Sequence, residues 1–214
     1  MDAKSATPEI ERRYFMVTEL RVAKDDTTKT SKLTGYAAVF NKLSDDLGGF
    51  REKIKPGAFA NTVRTDDIRA LFNHDANFVL GRSTAGTLRL KEDDKGLNFE
   101  CDLPDTQFAR DLQVSVGRGD ISQCSFSFRT NSDTWENNAD GTVTRTLNDV
   151  SCKDVSPVTF PAYPQTSVKA RDYISALKDS ADAAKNKGAQ GAAPQEGRAA
   201  SLEILKRKLE LESI

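Results

Sequence analysis

Apolar and polar residues alternate along much of the chain before Val168, and a period of two is typical of half-buried β-strands. The clearest hairpin joins residues 87–91 to 97–101 through a turn at 93–96. The other predicted strands cover 11–23, 32–41, 68–74 and 121–129, with a further strand region through 155–163 that Pro157 and Pro161 interrupt. The pattern therefore predicts a β-rich fold.

Two segments have features of helices. Pro56 suits the first turn of a short helix that leads into the strand at 68–74. Phe108, Leu112 and Val116 are spaced four apart, which predicts a helix from Thr106 to about Val116, ended by Gly117 or Gly119. The predicted class is α+β, with few helices.

Composition changes after about Val168, where small and polar residues replace the alternating pattern. The interpretation is a folded domain over 1–170, a helix over 171–187, a flexible linker over 188–200 and an amphipathic helix over 201–214. Leu202, Leu205 and Leu209 form the apolar stripe of the last helix. A helix this short is unstable alone in water, so it needs a partner surface on its own domain or on another chain.

Charge and cysteine content narrow the class of protein. The 31 basic and 32 acidic side chains nearly cancel, and neither sign forms a block that indicates nucleic acid or membrane binding. No apolar run approaches the roughly 20 residues of a membrane span, and the N-terminus lacks the apolar stretch of a signal peptide. Three widely spaced cysteines suit reduced thiols better than disulfides. We expect a cytosolic protein.

The chain has one histidine, His74, and this limits its chemistry. Sites for zinc or iron usually need several histidines or closely spaced cysteines, so we expect no metal and no cofactor. The remaining possibility is that His74 serves as the general base for a hydroxyl or thiol nucleophile, with a carboxylate to orient the imidazole.

Alternation along a strand separates the candidate nucleophiles by the face to which each side chain points. Cys124, Phe126 and Phe128 share one face of the strand at 121–129, while Ser125 and Ser127 share the other. The aromatic face is expected to pack in the core, so the two serines face the opposite side, where a hydroxyl can meet an imidazole. Cys124 is the thiol alternative, but alternation turns it toward the core.

The orienting carboxylate is expected to be Asp154, which precedes an apolar segment and therefore needs a hydrogen-bonding partner. Asp149, Asp75 and Glu100 remain alternatives. Asp75 has the disadvantage that neighbouring side chains on an extended strand point to opposite faces.

Several motifs occur together in an order that resembles a known family. They are 35–41 (GYAAVFN), 54–59 (IKPGAF), 73–75 (NHD), 80–82 (LGR), 96–99 (GLNF), 125–128 (SFSF) and 154–164 (DVSPVTFPAYP). Over roughly residues 30–168 the chain resembles the prohead maturation proteases of tailed phages of the Hong Kong type.

The resemblance implies a serine endopeptidase with a closed β-barrel and peripheral helices, distantly related in fold to the herpesvirus assembly protease. Its histidine falls on His74, its nucleophile on Ser125 and its third member on Asp154. Two departures are Ser127, where many relatives have glycine, and Cys124, immediately before the nucleophile.

Such proteases cut scaffold segments of capsid proteins, and often themselves, inside an immature capsid. The resemblance thus implies the major capsid protein with its scaffold segment as partner, a homo-oligomer, and a location in the host cytoplasm inside the procapsid. Backbone N–H groups near Ser125 or in Gly117–Gly119, or else Arg82 or Arg118, are candidate oxyanion donors. The competing hypotheses are an inactive protease-like assembly protein and a β-barrel binding module.

Overall fold

The computed structural model describes residues 9–15, 19–24 and 31–160. The strands are β1 Glu11–Phe15, β2 Arg21–Lys24, β3 Ser31–Val39, β4 Arg51–Ile54, β5 Arg69–Phe72, β6 Asp75–Arg82, β7 Leu88–Glu92, β8 Gly96–Asp102, β9 Gln123–Asn137 and β10 Val143–Val158. The helices are α1 Thr62–Thr65 and α2 Gln107–Arg118. The β-rich prediction is confirmed.

The described strands form two sheets. The larger has the order β1-β9-β10-β5-β6, with β4 also paired to β10, and the smaller has the order β2-β3-β8-β7. β4 and β5 run parallel to β10, whereas β9 runs antiparallel to both β1 and β10. The predicted hairpin is β7 and β8. Closure of these sheets into one barrel stays a prediction.

The helix that begins after Thr106 is confirmed, and its end follows from backbone geometry. α2 ends at Gly119, which has a φ of 83° and donates its backbone N–H to the carbonyl oxygen of Val116. Glycine suits this left-handed conformation because it has no Cβ. The helix expected from Pro56 is wrong in extent, since residues 56–61 form turns and α1 begins only at Thr62.

Two strand boundaries also differ from the sequence-based expectation. Pro157 does not interrupt β10, which continues to Val158 opposite Gln123 of β9. The strand predicted over 68–74 ends at Phe72, so His74 lies outside it. The terminal elements predicted over 171–187, 188–200 and 201–214 lie outside the described residues.

The apolar faces of the two sheets and of α2 pack into one core. Phe126 and Phe128 are fully buried, as are Phe99 and Leu33 of the smaller sheet. This core fixes β9, because its aromatic side chains leave the strand no freedom to turn over. Within the described residues, no helix combines the length and the apolar character that crossing a membrane requires.

A buried ion-pair network joins β1 to β4, β9 and β10. Its two guanidinium groups, on Arg13 and Arg145, contact the carboxylates of Glu11, Glu52 and Asp133 at 2.7–2.9 Å. Burial alone would raise the pKa of Glu11, but the hydrogen bond and charge of Arg145, together with Arg13, lower it overall. Buried charges of this kind require their partners, because an isolated charge in the interior is strongly destabilising.

We predict that Arg145→Met lowers the free energy of unfolding by about 3–5 kcal/mol, because it leaves buried carboxylates without their cation. Arg89→Met is the matched control, since the half-exposed Arg89 pairs with surface carboxylates, where loss of an ion pair costs about 0–1 kcal/mol. Urea-induced unfolding of both variants measures the difference. Equal losses in the two variants would contradict the prediction.

Candidate active site

His74 lies in a two-residue hairpin turn between β5 and β6. Phe72 and Asp75 are paired across the turn, and the residues between them, Asn73 and His74, have φ values of 53° and 57°. Positive φ at both central positions is characteristic of a type I′ turn, whose second position usually holds glycine. A histidine there is strained, and such strain is found where a side chain must be presented at a fixed angle.

Asn73 holds this turn against the end of β10. Its side-chain Nδ2 donates to Thr159 Oγ1 at 3.1 Å, and its Oδ1 accepts from the Thr159 backbone N–H at 2.8 Å. Its own backbone N–H donates to the carbonyl oxygen of Pro157 at 3.0 Å. Asparagine also tolerates the left-handed conformation better than most residues, so Asn73 fixes the turn in two ways.

Ser125 lies on β9, between β1 and β10, as alternation predicts. The core takes up Cys124 and Phe126, and Ser125 faces the other side of the sheet, with its partners Ser156 on β10 and Tyr14 on β1. No part of Ser125 is exposed to solvent.

A β-bulge at Lys153 turns Asp154 toward the same face as Ser125. Cys152 pairs with Phe128 and Asp154 pairs with Ser127, so β10 advances by two residues while β9 advances by one. Without the bulge, Asp154 would share the core face with Cys152, because residues two apart on a strand point the same way.

The three predicted residues form one hydrogen-bonded chain. Ser125 Oγ lies 2.7 Å from His74 Nε2, and His74 Nδ1 lies 2.5 Å from Asp154 Oδ1. The His74 side chain is only 4 % exposed. The spacing and order are those of a nucleophile, a general base and an orienting carboxylate.

Asp154 is held as a carboxylate by its surroundings. Burial alone would raise its pKa, but the hydrogen bond and charge of His74, with hydrogen bonds from Ser127 and Ser156, lower it overall. Ser156 donates to Oδ1 at 2.7 Å, and Ser127 donates to Oδ2. The charge is therefore available to stabilise an imidazolium at neutral pH.

The alternative carboxylates contact other groups. Asp75 Oδ1 accepts from the backbone N–H of Asn77 at 2.8 Å, Asp149 lies 3.3 Å from the amide of Asn131, and Glu100 pairs with Arg89. The expectation that Asp75 points away because it shares a strand with His74 is wrong in its reason, since His74 is in the turn.

Cys124 has the environment of a core residue. It is fully buried beside the phenylalanines, and burial raises its pKa to about 12. A thiol that stays protonated at neutral pH is a poor nucleophile.

The suggested oxyanion donors outside β9 are engaged elsewhere. Arg82 forms hydrogen bonds of 2.8 and 2.6 Å with Asp67, and Arg118 lies 3.0 Å from Asp120. Gly119 uses its N–H to end α2. As for metals, the described part of the chain holds no group of three or more histidine, cysteine or acidic side chains suited to bind one.

Sequence reasoning missed three groups that contact the site. The role of Asn73 had no signal in the sequence, because the pattern predicts a strand through His74 and no hairpin turn at that point. Ser156 stands two residues after Asp154, a spacing that puts both on one strand face. The backbone carbonyl of Arg13, which accepts from Ser125 Oγ at 2.9 Å, left no signal in the sequence.

The sequence model of the caudovirus prohead serine proteases matches residues 18–180. The chain belongs to this family. The matched range of the prohead serine protease model contains His74, Ser125 and Asp154, whereas β1 precedes it.

Among solved structures, the capsid assembly protease of bacteriophage T4 is similar, with a TM-score of 0.49 and 7 % sequence identity. That match covers 72 % of this chain and 99 % of the phage T4 protein. No curated protein sequence matches the chain.

We predict that the three cysteines resist a thiol-specific reagent in the folded protein and react only after denaturation, because Cys101, Cys124 and Cys152 are all buried and burial raises the pKa of each. Colorimetric thiol counting with and without denaturant tests this. Cys124→Ala should lower the free energy of unfolding by roughly 0.5–2 kcal/mol. Rapid modification of Cys124 in the folded protein would make Cys124 a candidate nucleophile again.

Proposed function

We propose that this chain is a serine endopeptidase in which Ser125 is the nucleophile, His74 the general base and Asp154 the orienting carboxylate. The observation that carries the proposal is the continuous hydrogen-bonded chain from Ser125 Oγ through both ring nitrogens of His74 to Asp154. Membership of the prohead serine protease family supports the same reaction class.

The reaction begins with a weak nucleophile, because a serine hydroxyl is almost wholly protonated at neutral pH. His74 removes the proton through Nε2 as Ser125 Oγ attacks the scissile carbonyl carbon. Asp154 keeps the Nδ1 proton in place and stabilises the imidazolium that forms. Protonation of the leaving amine by His74 gives an acyl-enzyme, which water then hydrolyses.

Ser127 and Ser156 assist indirectly by holding Asp154. Each hydroxyl donates to the carboxylate, so the oxygen that faces His74 stays fixed. A relative with glycine in place of Ser127 would lack one of these bonds. We assign both serines as positioning residues, since neither reaches the reacting atoms.

The substrate follows from the family rather than from the geometry. We propose that the enzyme cleaves the scaffold segment of the major capsid protein and also cleaves itself. This cleavage takes place inside the procapsid in the host cytoplasm, where the enzyme forms homo-oligomers. We further propose that the fold closes as a barrel and that residues 188–214 form a detachable arm that docks on capsid or scaffold chains. Under the competing hypothesis of a catalytically inactive assembly protein, Ser125 and His74 would serve only to stabilise the fold.

We predict that Ser125→Ala lowers the rate of cleavage of scaffold-bearing capsid protein by more than about a thousandfold, because the acyl-enzyme can no longer form. Ser122→Ala is the matched control, since Ser122 is exposed just ahead of β9 and should not affect the rate. Gel analysis of substrate and product over time gives both rates, and circular dichroism verifies folding. An active Ser125→Ala protein would refute the assignment and favour a non-catalytic role.

A second prediction concerns Asn73. Asn73→Ala should lower kcat by about 10-fold to 100-fold with little change in KM, because the His74 turn loses both its clamp and a residue that tolerates positive φ. Asn73→Gly removes the clamp but restores backbone freedom, so its loss of kcat should be smaller. Steady-state kinetics of the two variants, compared with the unmodified chain, tests this. Unchanged kcat in both would show that the turn needs no clamp.

A further inference from the structure

The strand β1 lies directly over the proposed nucleophile. Tyr14 of β1 is the partner of Ser125 on β9, and the carbonyl oxygen of Arg13 accepts a hydrogen bond from Ser125 Oγ at 2.9 Å. Ser125 has no exposed surface with β1 in this place. A protein substrate therefore cannot reach the hydroxyl in this arrangement.

The Arg13 carbonyl also competes with the general base. A serine hydroxyl has one proton to donate, and two acceptors lie within reach, the Arg13 oxygen and His74 Nε2. When the proton points to Arg13, His74 cannot remove it. β1 thus covers the nucleophile and also holds the proton that catalysis must transfer.

The position of β1 is one that an extended substrate can occupy. β1 is an edge strand that pairs antiparallel with β9 from Glu11 opposite Phe128 to Phe15 opposite Cys124. When such a strand leaves, the exposed backbone groups of its neighbour are ready to bind another extended peptide. The carbonyl nearest to Ser125 Oγ would then belong to the substrate.

β1 is attached by polar contacts. Arg13 Nε donates to Glu52 Oε1 at 2.8 Å, and Glu11 accepts from Arg145 at 2.7 and 3.1 Å. Among residues whose side chains the structure describes, the apolar core cluster includes none from β1. Departure of the strand therefore breaks ion pairs, backbone hydrogen bonds and the contact of the Arg13 guanidinium with the Phe128 ring, whose centroid lies 5.7 Å away.

We propose that the edge of β9 from Cys124 to Phe128 is the binding site for an extended polypeptide substrate, and that β1 is an internal pseudosubstrate that must leave before cleavage. The inference rests on the proposed function, because it takes Ser125 as the nucleophile. β1 also precedes the range 18–180 that the family model matches, so it lies outside the segment by which the chain was assigned to the family.

The test measures how fast a fluorophosphonate, a reagent that phosphonylates activated serines with loss of fluoride, labels Ser125 in the full chain and in variants. Arg13→Ala removes the bond to Glu52 and keeps the backbone carbonyl, and Glu11→Gln weakens the contact with Arg145 without changing side-chain size. Each should speed labelling, and Arg13→Ala by at least about tenfold, because labelling follows the population in which β1 is open. Glu11→Gln carries the test if Arg13→Ala does not fold.

Asp133→Asn is the matched control, because Asp133 contacts the same Arg145 at 2.7 Å but lies on β9. Its labelling rate should stay close to that of the unmodified chain. A synthetic peptide of residues 9–15 added to Arg13→Ala should slow labelling again, a reversal that general destabilisation would not produce.

Three results would overturn the inference. Equal labelling rates in the unmodified chain and both β1 variants would show that β1 does not shield Ser125, while the proposed function would stand. Acceleration in Asp133→Asn equal to that in Arg13→Ala would show loosening of the whole network. Absence of Ser125 labelling in every folded variant would refute the proposed function itself, and the inference with it.

Discussion

The candidate active site depends on the antiparallel pairing of β9 with β10. This ladder puts Ser125 opposite Ser156 and Ser127 opposite Asp154, so two hydroxyls on β9 and a carboxylate and hydroxyl on β10 face the same side. The phenylalanines of β9 anchor the pair from the other side. Because one face is fixed by apolar packing, the opposite face can hold a polar group at constant geometry.

Burial of this polar face strengthens the interactions between its charged groups, but it also makes an unpaired charge there destabilising. Asp154 is largely removed from water, and an isolated carboxylate there would become protonated or destabilise the fold. Hydrogen bonds from His74, Ser127 and Ser156 compensate, and the pKa of Asp154 is lowered as a result. The same low-polarity surroundings strengthen its attraction for a protonated His74. The groups that form hydrogen bonds with the carboxylate are thus the groups that would favour the proposed proton transfer from Ser125.

The sequence predicts those parts of the structure that depend on local periodicity. Each side chain on a strand points to one of two faces. Alternation therefore predicts directly that Cys124 packs in the core and that Ser125 faces the other side. The bulge at Lys153 could not be predicted from the sequence. A single inserted residue reverses the face to which the following side chains point, and it leaves no signal in the composition. Asp154 was found from its need for a partner and from family resemblance.

Two other features depend on contacts between distant segments. A regular strand through residue 74 was a reasonable expectation, since residues other than glycine seldom adopt positive φ, but Asn73 and its bonds to Thr159 and Pro157 hold the turn. The burial of Glu11 and Arg13 could not be predicted from the sequence either, because charged residues are usually exposed unless partners distant in sequence neutralise them.

The proposed link from Ser125 through His74 to Asp154 can be tested by locating the proton on the His74 ring. Because the chain has one histidine, ¹⁵N labelling of histidine gives one pair of ring nitrogen signals in NMR spectra, without interference from other imidazoles. We predict that neutral His74 carries its proton on Nδ1, bonded to Asp154, and that Asp154→Asn shifts this signal. A neutral ring protonated on Nε2, with a signal unchanged by Asp154→Asn, would contradict it.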